Sequence, residues 1–251
     1  MKKFFKIAGI SVVALVAMGW IGIWFWSRHM HAQAAPEALA AMASDSQVIV
    51  ESGEDIVFRP AGRTPAMGVI LYPGASCDIR GYAPVLRRVA AAGYLVVDAS
   101  MPLEYALFAP NKAQQIMAAH PEINRWVLIG HSMGGAMAGT FVKNHPQHIA
   151  GLVMWDAYPA SSLAESALPV WVVHRAQLNG TPPAWSISKR GTFPAATHWT
   201  PIPGGIHMFF GAFTGGGYRE DWAPQITRDA QHEQQVAATL AALQAMGGPA
   251  G

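Results

Sequence analysis

The chain opens on an apolar run, Ile7–Trp26, interrupted by no charged residue. A stretch of about 20 such residues is what a helix needs to cross a bilayer. Lys2, Lys3 and Lys6 precede it, and Trp20, Trp24 and Trp26 gather toward its far end. Basic residues favour the cytoplasmic side and tryptophan the interface. The pattern predicts a single N-terminal transmembrane segment within residues 1–30, a signal anchor that leaves the rest of the chain on the extracytoplasmic side. A cleaved signal peptide is the rival reading. Ala32-Gln33-Ala34 offers a small-residue cleavage site, although signal h-regions are usually shorter than this run. Residues 31–46 are Ala-rich and read as a linker, with one helical turn around Pro36–Ala43.

Beyond residue 46 the period changes. Gln47–Glu51 and Asp55–Arg59 alternate around Ser52-Gly53-Glu54, which predicts a β-hairpin. Short buried-type strands are then expected at Gly68–Tyr72, Tyr94–Asp98, Trp126–Ile129, Gly151–Trp155, Val170–His174 and His198–Ile202. Helical periods fall between several of them: Tyr82–Ala92 stopping at Gly93, Lys112–Ala119, and the stretch after Ser132 to about Asn144, before Pro146. A Gln- and Ala-rich helix is expected from Ile226 to Met246. Strands alternating with helices predict an α/β domain over 47–251, with a mostly parallel central sheet covered by helices on both faces. Reactive groups then belong at the carboxyl ends of the strands.

Composition alters this picture little. The chain is 51% hydrophobic and 13% charged, and the leader accounts for part of that excess. The net charge of +2 is more than covered by Lys2, Lys3, Lys6 and Arg28, so the remainder is slightly acidic and gives no argument for nucleic acid. Cys77 is the only cysteine, which excludes an internal disulfide and a Cys-rich metal site.

The chemistry centres on Gly130-His131-Ser132-Met133-Gly134. In this G-x-S-x-G pattern an apolar strand runs into a sharp turn that opens a helix. Such a turn lifts the serine hydroxyl toward a base. The five-residue pattern alone is weak, and a Gly-rich turn with an idle serine competes with it. Its strand-before, helix-after context carries the reading. Among ten histidines, His131 adjoins the serine and is expected to point away. His174 ends a strand and is a rival. His207 is favoured as base: it follows the last strand and precedes the final helix. Gly204-Gly205 also gives it a turn over the sheet edge.

The residues Tyr72-Pro73-Gly74, Ala83-Pro84, Ala92-Gly93-Tyr94-Leu95-Val96-Val97, Met101-Pro102-Leu103, Phe108-Ala109-Pro110-Asn111-Lys112, Gly130–Gly135 and Gly204-Gly205-Ile206-His207 resemble the α/β-hydrolase superfamily. The likeness is to its small, lid-poor members related to carboxylesterases and dienelactone hydrolases, and to a bacterial membrane-anchored subgroup. It covers nearly everything after Pro36. It implies the α/β-hydrolase fold, Ser132 as nucleophile, His207 as general base, and an oxyanion hole made by the N–H groups of Met133 and Ala75.

The acid is where the chain departs from this pattern. The family usually places an Asp in the loop after the strand Val170–His174; here the loop reads Arg175-Ala176-Gln177-Leu178-Asn179-Gly180. Asn179 sits near the expected place. The preceding strand, however, ends directly in Asp156, and some relatives carry their acid there. Asp156 is therefore the expected acid, with Asn179 or no acid as the alternative and Asp98, Glu104 and Asp221 as minor ones. Cys77 reads as a small loop residue near the pocket. Phe108, Met208, Phe209, Phe210 and Phe213 are expected to line an apolar site, and no inserted lid domain is evident.

The expected function is a serine hydrolase that cleaves a small-molecule carboxylic ester, or a thioester, through a Ser-His-Asp acyl-enzyme mechanism, with no cofactor and no metal. The alternatives are an acyltransferase on the same fold and a non-catalytic binding scaffold.

Overall fold

The computed structural model describes residues 2–249, with the side chains of 2–10, 12 and 26–28 outside the description. Helix α1 (Lys2–Met30) leads into a short strand β1 (Ala32–Ala34) and helix α2 (Pro36–Ala40). The hairpin β2 (Val48–Ser52) and β3 (Ile56–Pro60) follows, then β4 (Gly68–Tyr72), α3 (Ala83–Ala91), β5 (Leu95–Asp98), α4 (Lys112–Ala119) and β6 (Trp126–His131). The second half holds α5 (Met133–Asn144), β7 (Ile149–Trp155), β8 (Val170–Ala176), α6 (Ala184–Ser188), β9 (His198–Pro203), β10 (Phe213–Gly215) and α7 (Arg228–Ala245).

Eight strands form one sheet in the order β2-β3-β5-β4-β6-β7-β8-β9. The hairpin joins it antiparallel through β3 and β5; from β5 to β9 every pairing is parallel. The expected architecture is therefore observed. The parallel strands β4, β5 and β6 are buried along their whole length, as strands covered on both faces must be. Val85, Leu86 and Val89 of α3 and Val236 and Leu243 of α7 pack on one face. Ala113 and Ile116 of α4 and Ala138 and Phe141 of α5 pack on the other. The chain leaves β4 to form β5 on one side and returns to form β6 on the other. The loops after β4 and β6 therefore part around a crevice, the place where open parallel sheets hold ligands.

One expectation about the N-terminal region needs correction. Residues 31–46 are not a free linker. Strand β1 pairs antiparallel with β10, Ala32 opposite Gly215 and Ala34 opposite Phe213, and Ala35 and Ala38 pack on Ala212. Small side chains allow this close approach, and the same composition made the segment read as a linker. Helix α1 spans the apolar run, but among the described residues no helix is long and apolar enough to cross a membrane. The anchor expected over Ile7–Trp26 gains no support from the structure, and the side chains of 7–10, 12 and 26 lie outside the described residues.

Helix α7 carries a buried titratable group. Burial, with the nearby Arg228 charge, pushes the His232 pKa down to about 4. The unfolded chain takes up this proton near pH 6.5, whereas the folded chain resists it until about pH 4. Stability from this residue is therefore lost progressively as pH falls from about 6.5 to about 4. Chemical denaturation at pH 7 and pH 4.5 should show His232→Gln retaining on the order of 2 kcal/mol of the stability that the wild type loses over that interval.

Candidate active site

Ser132 stands at the sharp turn between β6 and α5. Its backbone angles, φ 53° and ψ −122°, lie where non-glycine residues are rarely held without compensating contacts. The Ser132 N–H donates to the Trp155 carbonyl at 3.2 Å. Gly134 is required two residues later: a Cβ there would collide with the carbonyl oxygens of Tyr72 and Pro73. That close approach brings α5 against the end of β4. Met133 is the first residue of α5, so its N–H has no partner inside the helix. The Ala75 N–H, in the loop after β4, meets no acceptor among the described residues.

His207 approaches from the loop after β9. Gly204 adopts φ +79°, and Gln231 of α7 clamps the next turn in both directions. It accepts from Ile206 N–H at 2.9 Å and donates to the Ile206 carbonyl at 2.9 Å. Glu220 accepts from the N–H groups of His207 and Met208 at 2.9 and 2.7 Å. The His207 ring stacks on Tyr218, centroids 4.2 Å apart.

His207 Nδ1 lies 2.5 Å from Asp156 Oδ2. Asp156 follows β7 directly with φ 45°, and its N–H donates to the Val173 carbonyl at 2.8 Å. Strand β7 thus aims this carboxylate across the end of β8. Asn179 is not in the site: its Oδ1 accepts from Thr181 N–H in an exposed turn. Asp98 is fully buried, and its carboxyl oxygens have no partner among the described residues. Burial, with the charges of Asp55 and Asp78, pushes its pKa well up. His174, the rival base, turns its Nδ1 to the Arg175 carbonyl at 2.8 Å.

Arg175 occupies the end of β8. Its Nη1 donates to Asp156 Oδ2 and lies 3.3 Å from His207 Nδ1, and its Nη2 donates to Asp221 at 2.5 Å. Its own N–H donates to Asp156 Oδ1 at 3.2 Å. Burial alone would raise the Asp156 carboxyl. The His207 hydrogen bond and charge, together with the Arg175 charge, outweigh burial and hold it below the usual carboxylate range. Asp156 is therefore ionised at neutral pH.

Two cavities meet at Ser132 and His207. The smaller, about 100 Å³, is bounded by Gly74, Ala75, Ser76, Tyr105 and Met208. The larger, about 560 Å³, is bounded by Met133, Ala136, Tyr158, Trp185 and Tyr218, a size suited to a small organic molecule. Of the five expected lining side chains only Met208 takes that place. Phe210 and Phe213 belong to the core, Phe108 is exposed, and Phe209 lies under the Arg228 guanidinium.

A family model described as the alpha/beta hydrolase family matches residues 68–233. The chain belongs to the α/β-hydrolase family. Among solved structures, this α/β-hydrolase resembles the naproxen esterase (carboxylesterase NP) of Bacillus subtilis at 10% identity and a TM-score of 0.52. That match covers 74% of this chain and 90% of the other. It also resembles a protein from the same organism provisionally described as a hydrolase, at 11% identity and a TM-score of 0.51, covering 68% and 89%. At such identities these likenesses speak for the fold. A curated relative from Mycobacterium phage D29, provisionally named a non-heme haloperoxidase, is 26% identical over 111 residues. The chain spans 40% of that relative's length.

Several residues of the site escaped the sequence reading. Arg175 was visible only as a cation where an acid was sought. Glu220 and Gln231 come from a loop and a polar helix face whose local pattern carries no catalytic signature, whereas Tyr218 ends the stretch from Met208 that is expected to line the site. His131 was expected to point away from the site, yet its ring lies 4.5 Å from the His207 ring.

Proposed function

We propose that this α/β-hydrolase cleaves a carboxylic ester through a covalent acyl-enzyme on Ser132. One observation carries the reading: an ionised, buried Asp156 holds Nδ1 of a histidine that shares both cavities with a serine on a strained strand-to-helix turn. With Nδ1–H committed to Asp156, the other ring nitrogen, Nε2, is left as the acceptor for the serine proton. Ser132 Oγ attacks the carbonyl, and His207 takes its proton. The N–H groups of Met133 and Ala75 receive the negative charge on the carbonyl oxygen. His207 then protonates the leaving alcohol, and a water activated by the same ring releases the acid. The 560 Å³ cavity supplies room for the larger substrate group, with Tyr158 and Trp185 as its apolar walls.

Treatment with a fluorophosphonate probe should place one covalent adduct on Ser132, and the same preparation should hydrolyse acyl esters from a panel of graded chain length. A wild-type protein that takes no adduct and turns over no ester would instead leave a binding scaffold.

Location is proposed from sequence and exposure. Lys2, Lys3 and Lys6 precede the apolar run, and the described large apolar side chains between Val13 and Phe25 are exposed. These features support an extracytoplasmic hydrolase held at a membrane by α1. Fractionation should find the intact chain with membranes, extractable by detergent; recovery of only a shortened soluble form would overturn this.

A further inference from the structure

The two proposed oxyanion donors stand on different strands. Met133 N–H follows β6, and Ala75 N–H belongs to the loop after β4. An oxyanion hole works only when both donors lie about 2.7–3.1 Å from one oxygen. The chain must therefore fix the loop against the strand end.

Tyr82 lies where that connection is needed. Its side chain is fully buried, and its hydroxyl accepts from Gly74 N–H at 2.9 Å. The same oxygen lies 2.8 Å from Nδ1 of His131, the residue immediately before Ser132. Burial, with the neighbouring His207 charge, holds the His131 pKa well below the ordinary value, so its ring is neutral. Gly74 N–H donates to the Tyr82 oxygen, and the same hydroxyl is hydrogen-bonded to His131 Nδ1 and to the Cys77 thiol. The other ring nitrogen of His131, Nε2, is buried, and the ring also hydrogen-bonds the His207 backbone. Close packing adds to the case. A Cβ on Gly74 would sit 2.8 Å from His131 Nδ1 and 3.2 Å from the Tyr82 hydroxyl, so only glycine lets the loop come this near.

We infer that Tyr82 and His131 are positioning residues that set the separation of the two oxyanion donors. The inference rests on the acyl-enzyme reading of Ser132. Gly74 is the residue before Ala75, and His131 is two residues before Met133. One phenol hydroxyl thus couples the backbone on both sides of the hole.

Tyr82→Phe tests this by deleting the hydroxyl while keeping the ring. Removing an oxyanion donor outright costs roughly 100- to 1,000-fold in kcat; a displaced donor should cost about 10- to 100-fold. KM should stay within about twofold, because the hole strengthens only as the oxygen gains charge. Affinity for a trifluoromethyl ketone, which mimics the tetrahedral state, should fall by the same factor as kcat/KM. Phe213→Leu is the comparison, since that ring packs on Tyr82 at 5.1 Å without touching the hydroxyl; it should lower Tm and leave kcat unchanged. The inference is overturned if Tyr82→Phe keeps wild-type kcat, if the loss appears in KM, or if Phe213→Leu loses kcat equally. In each of those cases wild-type labelling at Ser132 shows that the acyl-enzyme reading survives. A wild type that does not label overturns both.

Discussion

Replacing Asp156 by asparagine is expected to lower kcat roughly 10,000-fold, the scale on which triad chemistry responds to loss of its carboxylate. The reason is specific to this site. Asp156 Oδ1 accepts the Arg175 N–H, and Oδ2 is shared by His207 Nδ1 and the Arg175 guanidinium. Every group facing the carboxylate is a donor. An amide has one oxygen and one NH₂, so in either orientation it sets donor against donor. With the NH₂ toward His207, Nδ1 must become the acceptor and the proton moves to Nε2, the atom that should receive the serine proton. The guanidinium also loses one of its two counter-ions and keeps Asp221. Breaking a buried ion pair costs about 3–5 kcal/mol, so the variant should also melt earlier and must be assayed below its Tm. Steady-state ester hydrolysis beside a thermal melt separates the two effects. Asn179→Ala, in contrast, should stay within about twofold of wild type, since Asn179 serves only its own turn. A larger loss at Asn179 than at Asp156 would reverse the assignment.

Ser132→Ala should have a still larger effect, on the order of a millionfold in kcat, with the residual rate coming from binding and the oxyanion hole. The fluorophosphonate adduct should vanish with it. Folding should be little affected, because the turn is held by backbone contacts, Ser132 N–H to Trp155 and the close packing at Gly134. Residues that act as one unit lose activity non-additively. The double variant Ser132→Ala/Asp156→Asn should therefore be no slower than Ser132→Ala alone. Pre-steady-state measurement on an activated ester supplies a further check: wild type should release a burst of alcohol, and Ser132→Ala none.

Much of this site could be read from the chain because it depends on local pattern. Apolar runs bounded by Gly and Pro located β4 to β9, and α4 spans Lys112–Ala119 as its period indicates. Ser132 announced itself through its spacing to Gly130 and Gly134, which the backbone contact of Gly134 with Tyr72 and Pro73 explains. Asp156 emerged because a strand ended on it. The illegible parts depend on contacts distant in sequence. Arg175 meets Asp156 19 residues away, and Tyr82 meets His131 49 residues away. Neither pairing has a spacing that a one-dimensional reading could weigh. His131 was misjudged because strand alternation implies that neighbours diverge. The sharp turn at Ser132 breaks that alternation and leaves both residues bordering the same cavity. The 31–46 segment was misjudged for a different reason: Ala32, Ala35 and Ala38 are as suited to close packing as to flexibility, and only the partners β10 and Ala212 decide between them.

Strand β1 bears on how this protein could be processed. Ala32 donates its N–H to the Ser76 carbonyl at 2.7 Å and accepts from Asp78 N–H at 2.9 Å. It is therefore stitched to the segment that follows Ala75, as well as to β10. A peptidase acting at Ala32-Gln33-Ala34 would not trim a tail; it would pull a backbone rung from under the oxyanion loop. Release of the domain at that point and loosening of the segment after Ala75 would be a single event.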